Sequence, residues 1–190
     1  MNDNITLGNI ISHPERIRFI RKIFALAPPT GYILEFGVGQ GISIRLLAEL
    51  TDRRIIGFDS FEGLPENWQF TPHVIFAAGS FKYDPPPRPP NVDYVRGWFA
   101  DTLPEWKKTY PADVAFLHID ADLYSSCKTV LTELNDRIVP GTIILFDEAV
   151  KYPNWEEGEW KAKEEWVAEY DRELEDLGEN LTQAAYRVIR

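Results

Sequence analysis

Apolar residues occur along the chain in two spacings that predict strands and helices in alternation. Short, mostly apolar runs indicate buried strands, whereas apolar residues that recur every three or four positions indicate one face of a helix. The predicted strands cover residues 32–36, 54–58, 74–78, 92–96, 114–119 and 142–146. The predicted helices lie at about residues 14–27, 42–50, 101–108, 127–138 and 156–170.

The end of the chain departs from this alternation. Two weaker strands are predicted near residues 174–177 and 183–189, with the turn at Gly178-Glu179-Asn180 between them. Alternating strands and helices followed by a hairpin predict an α/β fold of the Rossmann-like type. Its sheet should be mostly parallel, with helices on both faces and an antiparallel hairpin at the C-terminal end. The length of 190 residues fits one domain, in which a helical segment at 1–30 precedes a core at 31–190.

The balance of charges excludes several classes of partner. Asp and Glu total 30 against 20 Lys and Arg, which gives a net charge of -10. Such a protein is a poor candidate for binding nucleic acid or anionic membranes, because both need a basic surface. Cys127 is the single cysteine and no apolar run approaches the ~20 residues of a membrane span. We therefore expect a cytoplasmic protein without an intramolecular disulfide.

A glycine-rich turn follows the first predicted strand. Residues 35–41 read Glu-Phe-Gly-Val-Gly-Gln-Gly, so Gly37, Val38, Gly39 and Gly41 would bring backbone amides close to a ligand. The spacing differs from the dinucleotide pattern, and the carboxylate of Glu35 would serve a pyrophosphate poorly. A ligand with a sulfonium and an amino-acid group would tolerate this carboxylate. Asp59, at the end of the second strand, could accept hydrogen bonds from ribose hydroxyls, and the alternative is a helix cap or a solvated turn residue.

Acidic residues follow two later strands. Asp120 and Asp122 come after the strand at 114–119, and Asp147 and Glu148 come after the strand at 142–146. If these strands are neighbours, four carboxylates converge, and a hard cation such as Mg²⁺ would resolve the repulsion. A metal could also acidify a substrate hydroxyl, with a nearby carboxylate as the base. Taken singly, Asp122 could cap a helix and Glu148 could be a surface residue.

The other reactive residues are interpreted as structural. His118 lies within an apolar strand and is expected to be a satisfied structural histidine. His13 is expected near a helix cap, and Cys127 is expected in the core. The proline-rich stretch at 85–90 is expected to be an extended surface loop.

Five blocks of sequence carry a further signal. The Asp-Ser-Phe-Glu-Gly-Leu-Pro block at 59–65 and the His-Ile-Asp-Ala-Asp-Leu-Tyr block at 118–124 are more specific than the glycine turn. The remaining blocks are 34–41, 97–104 and 140–148. Together these blocks resemble the macrocin O-methyltransferase (TylF-like) family of class I methyltransferases, which use S-adenosylmethionine (SAM).

The resemblance implies a seven-stranded fold, SAM over the glycine turn, and a small-molecule acceptor that carries a hydroxyl group. That hydroxyl could belong to a sugar of a glycosylated natural product. It implies Mg²⁺ held by Asp120, Asp147 and Glu148, with Asp122 as general base. The family pair is often Asp-Asp, so Glu148 is a departure. Further contacts to SAM are expected from Ser60, Phe61, Gly97, Trp98 and Asp120.

Other functions remain open at this point. One is a methyltransferase without a metal, and another is a non-catalytic SAM-binding scaffold that uses the Trp-rich segment 154–166 for partners. A nicotinamide-dependent oxidoreductase is a more distant alternative. The sequence leaves the acceptor's identity open, and also whether the chain forms a homo-oligomer.

Overall fold

The computed structural model describes residues 13–190, in which helices and strands alternate up to a C-terminal hairpin. The helices are α1 Pro14–Phe24, α2 Ile42–Glu49, α3 Phe99–Thr109, α4 Tyr124–Glu133 and α5 Glu159–Glu169. The strands are β1 Tyr32–Phe36, β2 Ile55–Asp59, β3 Trp68–Thr71, β4 Val74–Phe76, β5 Val92–Arg96, β6 Val114–Ile119, β7 Ile143–Phe146, β8 Leu174–Asn180 and β9 Gln183–Val188. Residues 1–12, part of the predicted N-terminal segment, lie outside the described residues.

Seven strands form one sheet in the order β5-β2-β1-β6-β7-β9-β8. The first five of these strands pair in parallel, whereas β9 runs antiparallel to β7 and β8 runs antiparallel to β9. This confirms the predicted fold class. The direction of the crossovers reverses between β1 and β6, and in such sheets ligands bind beyond the strand ends at that point.

Both faces of the sheet are buried. Along β1, Leu34 and Phe36 pack into one apolar cluster and Ile33 packs into another, as the alternation of side chains in a strand requires. Every residue of β6 is buried, which explains why its sequence is apolar except for His118. None of the helices within residues 13–190 is both long and apolar enough to cross a membrane.

The structure corrects three details of the sequence analysis. Residues 74–78 do not join the main sheet, because β4 pairs only with β3 in a small separate hairpin. The C-terminal turn lies after Asn180, since Gly178 (φ +112°) forms a bulge within β8. The helix expected over 156–170 is interrupted: a 3₁₀ turn at Trp155–Glu157 ends at Gly158, and α5 begins afterwards.

Candidate functional site

The glycine turn joins β1 to α2 at the point where the crossovers reverse. Gly37 has φ +93°, and a Cβ atom there would lie 1.7 Å from the carbonyl oxygen of Asp120. Only glycine allows the turn after β1 to approach the turn after β6 this closely. Gly39 and Gly41 also have positive φ, so the turn has the backbone that the sequence predicted.

Asp59, at the end of β2, holds the glycine turn through backbone amides. Its Oδ2 accepts hydrogen bonds from the amides of Val38 and Gly39, both at 2.8 Å. Its Oδ1 accepts a third from the amide of Phe61 at 2.7 Å. The carboxylate therefore shapes the ligand-binding turn, and its contact with a ribose stays a prediction.

A cavity of about 340 Å³ lies between the glycine turn and the turn after β6. Gly37, Val38 and Gly39 line one part of it, and Asp120, Asp122 and Glu148 line another. The other predicted cofactor contacts that line the cavity are Asp59, Ser60 and Trp98. The structure thus brings most of the predicted site into one space.

Four predicted cofactor contacts do not line this cavity. Gly41 precedes α2 and Phe61 is buried against the core. Gly97 donates its amide to the carbonyl of Asp59 and so stays on the strand side of the turn. Glu35 is fully buried, because its side chain enters the polar chain described next. Their expected contacts with SAM gain no support from the geometry.

A chain of buried polar side chains runs beneath the cavity. Glu35 accepts a hydrogen bond from the Ser43 hydroxyl at 3.1 Å, and its other oxygen lies 3.0 Å from Nδ1 of His118. His118 Nε2 lies 3.2 Å from Oδ1 of Asp147. Burial alone lowers the pKa of His118, but Asp147 and Glu35 outweigh it and raise the pKa to about 10. The ring is therefore protonated and donates from both nitrogens, as a satisfied structural histidine.

Arg16 of α1 supplies a second buried cation. Its Nη2 donates to Asp147 at 2.9 Å and to Asp120 at 3.0 Å, and its Nε donates to Asp147 at 3.2 Å. The Arg16 side chain is 2% exposed. Although burial opposes it, the pair of cations Arg16 and His118 holds the pKa of Asp147 below its usual range. Asp147 is therefore firmly ionised.

Three other carboxylates are less well compensated. Burial, reinforced by the charge of Asp147, raises the pKa of Asp120 to about 7. Burial and the neighbouring acids also raise the pKa values of Asp122 and Glu148 well above the usual range. Glu148 Oε2 is buried and has no hydrogen-bond partner among residues 13–190. These three side chains form the open acidic part of the site.

Glu159 holds the two acidic turns together. One of its oxygens accepts the amide of Ala121 at 3.1 Å, and the other accepts the amide of Glu148 at 3.2 Å. Burial raises the pKa of this fully buried carboxyl to about 8. Asp122 has φ +61°, a conformation that is costly for a residue with a side chain. The clamp by Glu159 on the preceding residue helps to maintain it.

The donor set fits a hard divalent cation, since two groups of side chains could hold one. Oxygen atoms of Asp120, Asp122 and Glu148 all lie within 4.8 Å of one another. His118, Asp120 and Asp147 form a second such group, so the predicted ligand Asp147 stays a prediction. Within residues 13–190 its oxygens already accept hydrogen bonds at about the four positions that a carboxylate offers. Arg16 takes two, His118 takes one, and the Gln183 amide donates to the fourth at 2.5 Å.

The sequence analysis missed Arg16, Glu159 and Gln183. Arg16 lies on the apolar face of α1, four and seven residues before Ile20 and Ile23, and a charge on such a face was the available signal. Glu159 shares the buried face of α5 with Trp166, but the many other charges of this helix conceal it. Nothing in the local sequence distinguishes Gln183.

Sheet order, glycine turn and cavity together define the class I methyltransferase fold, and solved structures agree. CalS11, a calicheamicin methyltransferase also described as a TDP-rhamnose 3′-O-methyltransferase, superposes with a TM-score of 0.74 and 23% identity. The match covers 98% of this chain and 87% of that chain. An O-methyltransferase from Bacillus cereus, solved with S-adenosylhomocysteine (SAH), gives a TM-score of 0.60 at 17% identity, over 96% and 86% of the two chains.

Sequence comparison confirms the resemblance within this class. The model of the macrocin O-methyltransferase family matches residues 88–171. Demethyldecarbamoylnovobiocin O-methyltransferase of Streptomyces niveus is 35% identical over 81 residues. That stretch covers 42% of this chain and 28% of the relative, so the chain aligns with just over a quarter of that protein. The segment that matches the family model, residues 88–171, includes both acidic turns.

Proposed function

We propose that this protein is a SAM-dependent O-methyltransferase that methylates a hydroxyl group of a small molecule. One observation carries the proposal: a single cavity connects the glycine turn at Gly37 and Gly39 with the open carboxylates Asp122 and Glu148. A methyl donor bound at the turn and a hydroxyl held at the acids would meet in this space. SAM brings the activated methyl, so the protein has to position and deprotonate the acceptor.

The glycine turn is proposed to bind the cofactor. Asp59 fixes the amides of Val38 and Gly39, so the backbone is arranged before the ligand arrives. Ser60 and Trp98 line the same cavity, and the indole of Trp98 is 40% exposed. An exposed aromatic ring at a ligand cavity offers a flat apolar surface on which the adenine ring can lie.

Asp122 is proposed as the general base. Its raised pKa makes the ionised carboxylate a stronger proton acceptor than an ordinary aspartate, which favours deprotonation of a hydroxyl. Asp147 is unsuited to this role, because Arg16 and His118 hold its charge.

A divalent metal, proposed to be Mg²⁺, would be held by Asp120, Asp122 and Glu148. When bound it would lower the pKa of the acceptor hydroxyl and orient its oxygen. The partnerless oxygen of Glu148 supports this set, because a buried acceptor without a partner is costly. Each carboxylate has two oxygens, so Asp122 would keep one for the proton.

The acceptor is proposed to be a sugar-bearing natural product. This rests on similarity to CalS11 and to the novobiocin-pathway enzyme, and on the polar character of the acidic part of the site.

Calorimetric titration with SAH, once with Mg²⁺ and once with EDTA, tests the proposal. We expect micromolar binding in the wild type, and Asp122→Asn should retain it while losing turnover of a screened acceptor by ~10²-fold or more. Asp52→Asn is the matched control, since Asp52 is exposed and precedes β2 at the opposite end of the sheet. Absence of SAH binding under both conditions would contradict the function.

A metal-independent methyltransferase is the second candidate, and Arg16 is the observation that favours it. With His118, this residue places two cations at the acidic residues, which reduces the need for a metal. Turnover that persists in excess EDTA would support this candidate, and turnover that requires added Mg²⁺ would exclude it. SAH binding with no turnover of any acceptor would instead indicate a non-catalytic SAM-binding protein.

A further inference from the structure

A second, smaller cavity lies next to the proposed cofactor cavity. It measures about 230 Å³ and is lined by the β3 strand region, the start of α4 and the segment before α5. Among the described residues, Asp122 alone lines both cavities. A group in the second cavity would therefore reach the proposed base from the side away from the glycine turn. We name this space the outer cavity.

The outer cavity is acidic. Glu66, Asp122 and Glu157 line it, and no Lys, Arg or His is found among the described residues that do so. Glu157 is paired with Lys161 at 2.7 Å, and Glu66 accepts a hydrogen bond from the Ser125 hydroxyl. The side chain of Asp122 has no such cation within residues 13–190.

Aromatic residues form another part of the wall. Trp68 and Tyr152 pack with their ring centroids 6.3 Å apart, and both are about nine-tenths or more buried. The Tyr152 hydroxyl is buried and has no hydrogen-bond partner among the described residues. Gly158 keeps the space beside it open, since a Cβ there would lie 2.6 Å from this hydroxyl. A buried hydroxyl without a partner indicates a ligand that supplies one.

We propose that the outer cavity receives a methyl acceptor that carries a protonated amine, and that it disfavours phosphorylated acceptors. This inference rests on the proposed function. Carboxylates without a basic neighbour attract an ammonium group, and aromatic faces add a cation–π attraction. A phosphate or nucleoside diphosphate would enter a negative field on a protein whose net charge is -10.

The size of the cavity limits what it can hold. About 230 Å³ is below the roughly 300–1,000 Å³ of pockets that enclose a drug-sized ligand. One ring-sized unit therefore fits, such as a single amino sugar, while the rest of a larger acceptor would extend into solvent. The matched probes are therefore monosaccharides that differ in one substituent.

Binding of glucosamine, glucose and glucose 6-phosphate to the purified protein tests the inference. Ligand-observed NMR titrations at pH 7, without and with saturating SAH, give the three dissociation constants. Glucosamine should bind at least about tenfold more tightly than glucose, as one charge-assisted hydrogen bond allows. Glucose 6-phosphate should bind more weakly than glucose.

Two variants test whether the preference for glucosamine arises in the outer cavity. Glu66→Gln should reduce the preference for glucosamine by roughly threefold or more, because one attracting charge is lost. Tyr152→Phe should weaken glucosamine and glucose by similar factors, because it removes a hydroxyl and no charge. Glu105→Gln is the control, since Glu105 is an exposed carboxylate on α3 and lines neither cavity. All three variants should bind SAH like the wild type and unfold at similar urea concentrations.

The outcomes separate this inference from the proposed function. Equal binding of glucosamine and glucose, tighter binding of the phosphate, or no binding of any probe would overturn the amine preference, whatever SAH does. If SAH fails to bind but glucosamine is preferred through Glu66, the cavity selects amines and the methyltransferase assignment fails. Preference for glucosamine that is unchanged in Glu66→Gln would also overturn the inference, because the charge would then lie elsewhere.

Discussion

Replacement of Arg16 by methionine is the sharpest test of how the acidic site is held together. Within residues 13–190 the guanidinium forms ion pairs with Asp120 and Asp147, at 3.0 Å and 2.9 Å. Methionine keeps much of the apolar stem that packs beside Ile20 on α1, so the main loss is the charge. Removing one partner of a buried pair leaves the other as an uncompensated buried charge.

The expected loss of stability is large. Breaking a buried pair costs about 3–5 kcal/mol, and Arg16 is almost fully buried and pairs with both Asp120 and Asp147. His118 still faces Asp147 in the variant, so we expect the lower end, about 3 kcal/mol. For a chain of this size, each kcal/mol lowers Tm by roughly 2–4 °C.

Urea unfolding followed by tryptophan fluorescence measures this loss. Arg18→Met is the matched control, because Arg18 lies on the same helix but its side chain is 67% exposed. The control should change the free energy of unfolding by no more than about 0.5 kcal/mol. Comparison of the two variants separates the buried ion pairs from any effect of methionine on α1.

A double-mutant cycle assigns the loss to the ion pair. Asp147→Asn removes the charge that Arg16 faces, so the double variant should lose less than the sum of the single variants, by about 1–3 kcal/mol. If Arg16→Met behaves like Arg18→Met, or if the two effects are additive, the view of Arg16 as the cation of the acidic site is refuted.

Three further predictions concern the cofactor turn, the buried histidine and the metal. Asp59→Ala removes the acceptor of three backbone amides, so the dissociation constant of SAH should rise roughly tenfold in calorimetry. An unchanged dissociation constant would refute the view that Asp59 arranges the glycine turn for the cofactor. The folded-state pKa of His118, about 10, exceeds its unfolded value, so its contribution to stability is complete below pH ~6.5 and is lost as the pH rises through 10. The difference in unfolding free energy between wild type and His118→Asn should therefore narrow between pH 7 and 10, whereas a constant difference would contradict the assignment. Mg²⁺ should raise the Tm of the wild type, and Glu148→Gln should weaken this effect; an equal shift in both proteins would exclude Glu148 as a ligand.

The sequence predicts the fold well because its strands are central and buried. The runs that form β1, β6 and β7 are apolar apart from Glu35 and His118, which is the pattern of parallel strands covered on both faces. A strand was predicted at 74–78, where β4 lies, but its partner β3 was missed, because the aromatic residues of β3 pack on Tyr152 from a distant part of the chain. The local sequence pattern does not predict a contact between residues so far apart in the chain.

The site was only partly predictable for a related reason. Residues at the ends of strands are placed by topology, so Asp120, Asp122 and Glu148 could be expected to meet. The cation that pairs with Asp120 could not be expected, since Arg16 approaches from a helix more than a hundred residues earlier in the chain. The prediction that Asp147 binds metal came from the family resemblance, and the sequence does not reveal the partners that its oxygens have in the structure.

The unequal distribution of cations explains how carboxylates within one acidic site can have different roles. Arg16 and His118 keep Asp147 ionised, whereas burial, together with Asp147 and the other neighbouring acids, raises the pKa values of Asp122 and Glu148. Paired acids whose environments separate their pKa values commonly have different roles. Asp147 therefore suits a fixed structural charge, whereas Asp122, at the boundary of both cavities, suits the exchange of a proton. A metal or an ammonium group that arrives at the open acids would favour their ionised forms, so binding itself would prepare the base.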